Sequence, residues 1–186
     1  MARPDVSKIL SSSFEIFKKN PLTYVIAWIL LTIVNACTFG ILFGPLLVGY
    51  FRMVKIDADG GKASIGDLFK GFDSLAPGLV AGLLSLVIIG VGSMLCVLPG
   101  LVAAPLLPLS LYLVAEGEQD GVNALKRAWH AMSPHIIESV VYMLILGIIA
   151  FAGMLLCCIG LFVTIPIGFI GQYWLARQLT NDGAVQ

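Results

Sequence analysis

The residues best able to do chemistry in this sequence are two histidines and a glutamate, His130, His135 and Glu138. His135 and Glu138 would share one face of a helix, because residues at i and i+3 are neighbours there. Such a group could bind a metal ion or relay protons. Since Glu138 closely follows Pro134, the second interpretation is an interfacial group that reaches the lipid headgroups. We adopt the second interpretation and assign no catalytic or metal-binding residue.

Cysteines could supply a disulfide or a metal site, and the sequence has four, at Cys37, Cys96, Cys157 and Cys158. They lie in apolar surroundings without the spacing of a zinc site or a redox motif, so we interpret them as packing residues, with a disulfide as the alternative. The sequence contains no P-loop, no nucleophile elbow and no dinucleotide fingerprint. Eleven basic and eleven acidic residues balance, which gives no reason to expect nucleic acid as a partner. We expect a non-enzymatic protein without a cofactor.

The composition predicts that lipid surrounds most of this chain. Apolar residues make up 59% and charged residues 12% of the sequence, and the mean hydropathy is +0.97, well outside the range of soluble proteins. No charged residue occurs in 20–51, 74–115 or 139–176, and each of these runs can cross a bilayer twice as a helical hairpin. The alternative, three re-entrant hairpins, would expose irregular turns to lipid. The six predicted helices are 21–38, 41–56, 77–96, 101–115, 134–156 and 161–179.

One order of landmarks recurs three times, in the units 5–60, 64–121 and 122–183. Each unit begins with an amphipathic segment whose aromatic residues we expect to anchor it in the membrane interface. A proline, an apolar helix, a glycine turn, a second apolar helix with a proline and a tyrosine, and an Asp-Gly pair follow. We therefore predict an all-α integral membrane protein with six transmembrane helices as three parallel-topology hairpin repeats and short interfacial amphipathic helices. The expected anchors are Phe14, Phe17, Phe69, Phe72 and Trp129.

The basic residues set the expected orientation. All of them lie in the N-terminal segment, the two long loops or the C-terminal end, whereas the turns near Gly40, Gly100 and Gly160 contain none. The positive-inside rule then places both termini in the cytoplasm.

Prolines inside the second helices could shape a central cavity. Pro45, Pro105 and Pro166, with Pro108 in addition, would each remove a backbone hydrogen bond and kink the helix. Three equivalent kinks could frame a cavity or gate, and the alternative is that they only shape hairpin packing. Polar residues that could line a path through such a cavity are Asn35, Thr164 and Gln172.

Two glycine pairs, Gly40 with Gly44 and Gly78 with Gly82, have the spacing that lets membrane helices approach closely. We expect them to pack helices within one chain, and self-association is the alternative.

Several short segments occur in a fixed order along the chain: Leu68-Phe69-Lys70-Gly71-Phe72, Leu98-Pro99-Gly100, Asp120-Gly121, Ala124-Leu125-Lys126-Arg127-Ala128-Trp129, Cys158-Ile159-Gly160 and Pro166. Together they resemble bacterial multi-pass membrane protein families of unknown function, a set that includes the membrane domain attached to some glycerophosphoryl diester phosphodiesterases. The resemblance implies an all-helical fold in the bacterial cytoplasmic (inner) membrane. The sequence has no phosphodiesterase catalytic domain, so that activity is not implied.

The leading hypothesis for function is a scaffold or accessory role in the membrane, with the lipid bilayer as the first partner. The alternative is a small transporter or channel that passes a neutral solute or lipid through a pseudo-threefold cavity. The lack of charged residues deep in the apolar runs disfavours ion-coupled transport. A closed, packed centre would favour the scaffold, and a continuous polar path would favour transport.

Overall fold

The computed structural model describes residues 6–95, 97–155 and 161–183, and all regular structure in these residues is helical. Short 3-10 turns at Lys70–Ser74 and Ser133–His135 connect some of the helices. The α-helices are α1 (Val6–Lys19), α2 (Pro21–Cys37), α3 (Phe43–Ala58), α4 (Ile65–Phe69), α5 (Leu75–Leu95), α6 (Val97–Ala103), α7 (Leu106–Ala115), α8 (Gly121–Met132), α9 (Ile136–Leu155) and α10 (Leu161–Gly183).

The all-helical prediction is confirmed, and one predicted apolar helix is divided. Helices α2, α3, α5 and α9 begin and end within about two residues of their predicted bounds, and α10 continues to Gly183. The predicted helix 101–115 is instead split into α6 and α7 at Ala104 and Pro105. Pro105 has no backbone N–H to donate, so the helical ladder loses a bond at this point.

Two stretches in the described part of the chain, Ile65–Met94 and Gly121–Ile148, are long and apolar enough to cross a membrane. A third results if α1 and α2 count as one bent span. The apolar stretch Pro99–Ala115, which contains α7 and most of α6, is shorter and extends about 25 Å at 1.5 Å per residue. Six crossings in three repeats stay a prediction.

The three amphipathic segments meet the helices that follow them in different ways. α1 and α2 are bent by 97°, because Asn20 precedes a proline and has a non-helical backbone (φ −142°, ψ 61°). The segments of the other two units instead belong to the long stretches Ile65–Met94 and Gly121–Ile148. Of the three segments, only α1 makes a sharp angle with the helix that follows it. Equivalence of the three hairpins therefore stays a prediction.

The core is built around the second helices of the three units. α3, α7 and α10 each contact the other two. Residues 106 and 108–115 of α7 are buried, as are most residues of α3. α5, α2 and α9 lie outside this trio and expose more apolar surface. The arrangement places the tyrosine-bearing helices at the centre.

Candidate functional site

Aromatic rings fill the centre between α3, α7 and α10. The ring of Tyr173 lies 5.2 Å from that of Tyr112, in an edge-to-face arrangement, and 6.1 Å from that of Phe51. Tyr50 packs against Phe169 with the ring centroids 5.5 Å apart. Such pairs contribute about 0.5–1.5 kcal/mol beyond the area that they bury. The tyrosine that recurs in each unit is therefore a central packing residue.

A polar contact ties α3 to α10 beside these rings. The Tyr50 hydroxyl donates a hydrogen bond to the backbone carbonyl of Pro166 over 3.3 Å. Both residues are buried, and Tyr50 also packs on Tyr24 of α2 with a centroid distance of 5.7 Å. Because a buried hydroxyl without a partner is unfavourable, this bond favours one relative position of the two helices.

Asp57, near the end of α3, is a buried carboxylate with partners from three parts of the chain. It is fully buried, and its oxygens accept hydrogen bonds from the Tyr24 hydroxyl (2.7 Å) and the Ala63 backbone N–H (2.8 Å). The Asn20 side-chain amide lies 3.5 Å from both carboxylate oxygens. We name Asp57, Tyr24, Asn20 and Ala63 the Asp57 junction. It joins the start of α2, the end of α3 and the loop that follows.

The sequence analysis did not find this junction. Asn20 stands at the N-cap position of α2, where its side chain could cap the helix, but that side chain makes no capping bond and approaches Asp57 instead. The signal that could have found the junction is Asp57 itself, an acidic residue in an otherwise apolar and basic part of α3.

Ion pairs join the ends of the three central helices. Lys55 of α3 contacts Glu116, directly after α7, at 2.6 Å. Arg177 of α10 lies 3.8 Å from Asp59, directly after α3, and its guanidinium lies over the ring of Trp174. These side chains are partly exposed, so each pair contributes at most about 1 kcal/mol. The charges make a small contribution to the register of helices that the aromatic packing holds together.

The three prolines occupy different helical positions. Pro45 is the third residue of α3, in the first turn, where its missing N–H would have no partner within the helix. Pro105 directly precedes α7, and Pro108 lies in that helix's first turn. Pro166 lies inside α10. Among the described helices that contain these prolines, only α10 continues on both sides of its proline. Pro166 therefore removes a hydrogen bond from within a helix.

The three candidate path-lining residues are partly buried. Asn35 lies near the end of α2, and its carboxamide oxygen is buried without a hydrogen-bond partner. Thr164 and Gln172 both lie on α10, about 12 Å apart along the helix at 1.5 Å per residue. The centre beside α10 is occupied by the rings of Tyr112, Tyr173 and Phe51.

Three of the four glycines form a close contact between α3 and α5. A Cβ atom on Gly44 would lie 2.3 Å from the Gly78 carbonyl oxygen and 3.6 Å from the Cα atom of Gly82. These glycines therefore pack helices within the chain. Gly40 lies in the turn after α2 with a φ of 85° and has open space around it. Self-association through these glycines stays a prediction.

The expected aromatic anchors differ in exposure. Phe14, Phe69 and Trp129 are roughly half exposed, and the Lys18 ammonium lies 4.6 Å from the centre of the Phe14 ring. Phe72 stacks on Phe69. Phe17 is 7% exposed and belongs to the core. The two phenylalanines of α1 therefore have different environments.

The titratable residues and cysteines are dispersed where the structure describes them. His135 is buried, whereas His130 is exposed. In the described residues no three side chains of His, Cys, Asp or Glu come together as a metal site. Cys37 is a free, exposed thiol. The other cysteines, Cys96, Cys157 and Cys158, lie outside the described residues.

Comparison with known proteins finds distant relatives. Uncharacterized proteins of Mycobacterium tuberculosis and Mycobacterium bovis are each 26% identical to this chain over 129 residues. The matched region covers 69% of this chain and 39% of each relative, so the chain spans well under half of their length. No family model and no solved structure matches the sequence.

Proposed function

We propose that this chain is a non-enzymatic membrane scaffold or accessory protein, with six crossings in three hairpins and both termini in the cytoplasm of a bacterial cell. The observation that supports it is the closed centre, where Tyr112, Tyr173 and Phe51 occupy the space between α3, α7 and α10. A rigid, filled core suits a protein that presents surfaces to other membrane components.

The outer surface supports the same proposal. The described part of α5 exposes a row of large apolar side chains, including Leu83, Val87 and Val91. Contiguous apolar surface on that scale is typical of a lipid or protein contact. On α1, Phe14 and Lys18 form the cationic and aromatic pair that suits a membrane interface. The charged ends of the central helices are paired with one another.

Transport is the competing function, and a flux measurement tests it. Reconstituted into liposomes, the chain should accelerate neither the uptake of glycerol or urea nor the exchange of a fluorescent phospholipid between leaflets. The comparison is with protein-free vesicles of the same lipids. Saturable, protein-dependent flux of any of these would overturn the scaffold proposal and support the cavity instead.

A scaffold protein should also contact a specific partner protein in the membrane. Photo-crosslinking amino acids at Leu83 and Val87, one turn apart on α5, should capture the same membrane protein in cells. Leu22, an exposed apolar residue on α2, provides the matched position on another face. Capture of the same proteins from all three positions would indicate random collision and count against the proposal.

A further inference from the structure

A cleft opens between α5, α7 and α8, away from the closed centre. Its volume is about 230 Å³. α8 supplies most of its lining, and α5 and α7 supply one residue each. The lining residues are Ile88, Leu106, Leu125, Lys126, Trp129 and His130.

The lining has two chemical parts. Ile88, Leu106 and Leu125 form an apolar wall, and the indole of Trp129 adjoins it. Lys126 and His130 are four residues apart on α8, so they lie on one face and form a polar rim. An apolar wall with a basic rim fits a molecule that has a hydrocarbon chain and a polar head.

The rim has a positive charge that no acidic side chain in the described residues pairs with. Arg127, the next residue on α8, pairs with Glu118 at 2.7 Å. Within the described part of the chain Lys126 has no ion-pair partner. A lysine can lay its hydrocarbon stem along apolar surface and keep its ammonium at the rim. The charge that would complement this ammonium is an anion.

We propose that this cleft binds a membrane lipid with an anionic headgroup. Its acyl chain lies against Ile88, Leu106 and Leu125, and its headgroup lies beside Lys126. Trp129 lies between the two, where an amphipathic ring suits the boundary between hydrocarbon and headgroup. This site does not depend on the proposed scaffold role, since a transporter with the same fold would have the same cleft.

Quenching of Trp129 fluorescence provides the test. The protein, with Trp28→Phe and Trp174→Phe so that Trp129 is the only tryptophan, is placed in phosphatidylcholine nanodiscs. A small fraction of brominated phosphatidylglycerol or, separately, brominated phosphatidylcholine is then added. Lys126→Gln removes the rim charge, and Arg127→Gln removes the same charge from the neighbouring residue outside the cleft.

We expect brominated phosphatidylglycerol to quench Trp129 preferentially. Lys126→Gln should weaken the apparent affinity by about fivefold, the size expected for one lysine near an anionic headgroup, and Arg127→Gln should leave it unchanged. An equal loss of affinity in both variants would show that the lipid is attracted by the general surface charge. Equal quenching by the two lipids would show that the cleft does not select an anionic headgroup. Either result overturns the proposal.

Two further measurements keep the test independent of the tryptophan substitutions. Native mass spectrometry of the otherwise unmodified protein should show retained phosphatidylglycerol that Lys126→Gln reduces and Arg127→Gln does not. Inorganic phosphate at millimolar concentration should not displace the lipid, because the acyl chain provides part of the binding. Complete displacement by phosphate, or a dimer that excludes lipid from the cleft, would contradict the assignment.

Discussion

The phenol oxygen of Tyr24 lies 2.7 Å from Oδ2 of Asp57, and both residues are fully buried. This single contact joins α2 to α3 across 33 residues of sequence. A hydroxyl that donates to a buried carboxylate is among the stronger hydrogen bonds in proteins. The contact therefore makes the Asp57 junction a testable element of stability.

Removing either partner of this bond should destabilise the fold. Tyr24→Phe should lower the free energy of unfolding by about 1.5–3 kcal/mol, since a hydrogen bond to a charged group is lost. Asp57→Ala should cost more, because the Tyr24 hydroxyl and the Ala63 N–H both lose their acceptor. Thermal unfolding in detergent measures both effects. Asp73→Asn, at an exposed carboxylate, is the control, and an effect of similar size there would contradict this interpretation.

The contact between α3 and α5 should not tolerate a methyl group. Gly44→Ala would place a Cβ atom 2.3 Å from the Gly78 carbonyl oxygen, so the helices must separate. We expect a loss of about 1–3 kcal/mol, as for other overpacked sites. Gly90→Ala is the matched control, because open space surrounds that helical glycine. There the substitution should be neutral or stabilising, and equal destabilisation of both variants would argue against the contact.

The filled centre should depend on Tyr173. Its ring contacts those of Tyr112 and Phe51, so Tyr173→Ala should lower the unfolding free energy by about 3–5 kcal/mol through lost burial and a cavity. Phe39→Ala removes a comparable ring at a 95% exposed position and should change stability little. Thermal unfolding measures both variants, and similar unfolding midpoints would show that the centre is not packed as described.

The two phenylalanines of α1 should respond differently. Phe14→Ser should raise the mobility of a spin label at Ser11 without loss of folding, because Phe14 is half exposed and would anchor α1 in the interface. Phe17→Ser should destabilise the protein, since Phe17 is buried. Electron paramagnetic resonance and thermal unfolding separate the two effects. Unchanged mobility in Phe14→Ser would show that this side chain does not anchor α1.

Topology can be measured with single cysteines in a background that lacks the native four. A cysteine at Ser7 or Lys62 should react with a membrane-impermeant thiol reagent only from the cytoplasmic side. A cysteine at Thr38, in the turn after α2, should react only from the opposite side. Labelling of the Thr38 site from the cytoplasm would overturn the proposed orientation.

The sequence by itself determined where the helices lie. Uncharged runs bounded by charged residues predict apolar helices because backbone hydrogen bonding within a helix is local. The bounds of α2, α3, α5 and α9 lie close to those predicted from the uncharged runs together with the proline and glycine landmarks. The Ser64-x-x-Asp67 spacing also has the form of a capping box, and that box is present at the start of α4. The division at Pro105 was not predicted, although proline was recognised there as a residue that interrupts helices.

Only the tertiary structure decided what these helices do together. The distance from Tyr24 to Asp57, the contact of Gly44 with Gly78 and the burial of Phe17 join residues from different elements. Periodicity shows which face of a helix is apolar, but it does not show whether lipid or another helix covers that face. Three-dimensional packing shows which faces meet another helix. It placed the rings of Phe51, Tyr112 and Tyr173 together between α3, α7 and α10, and it brought three helices around the cleft beside Lys126.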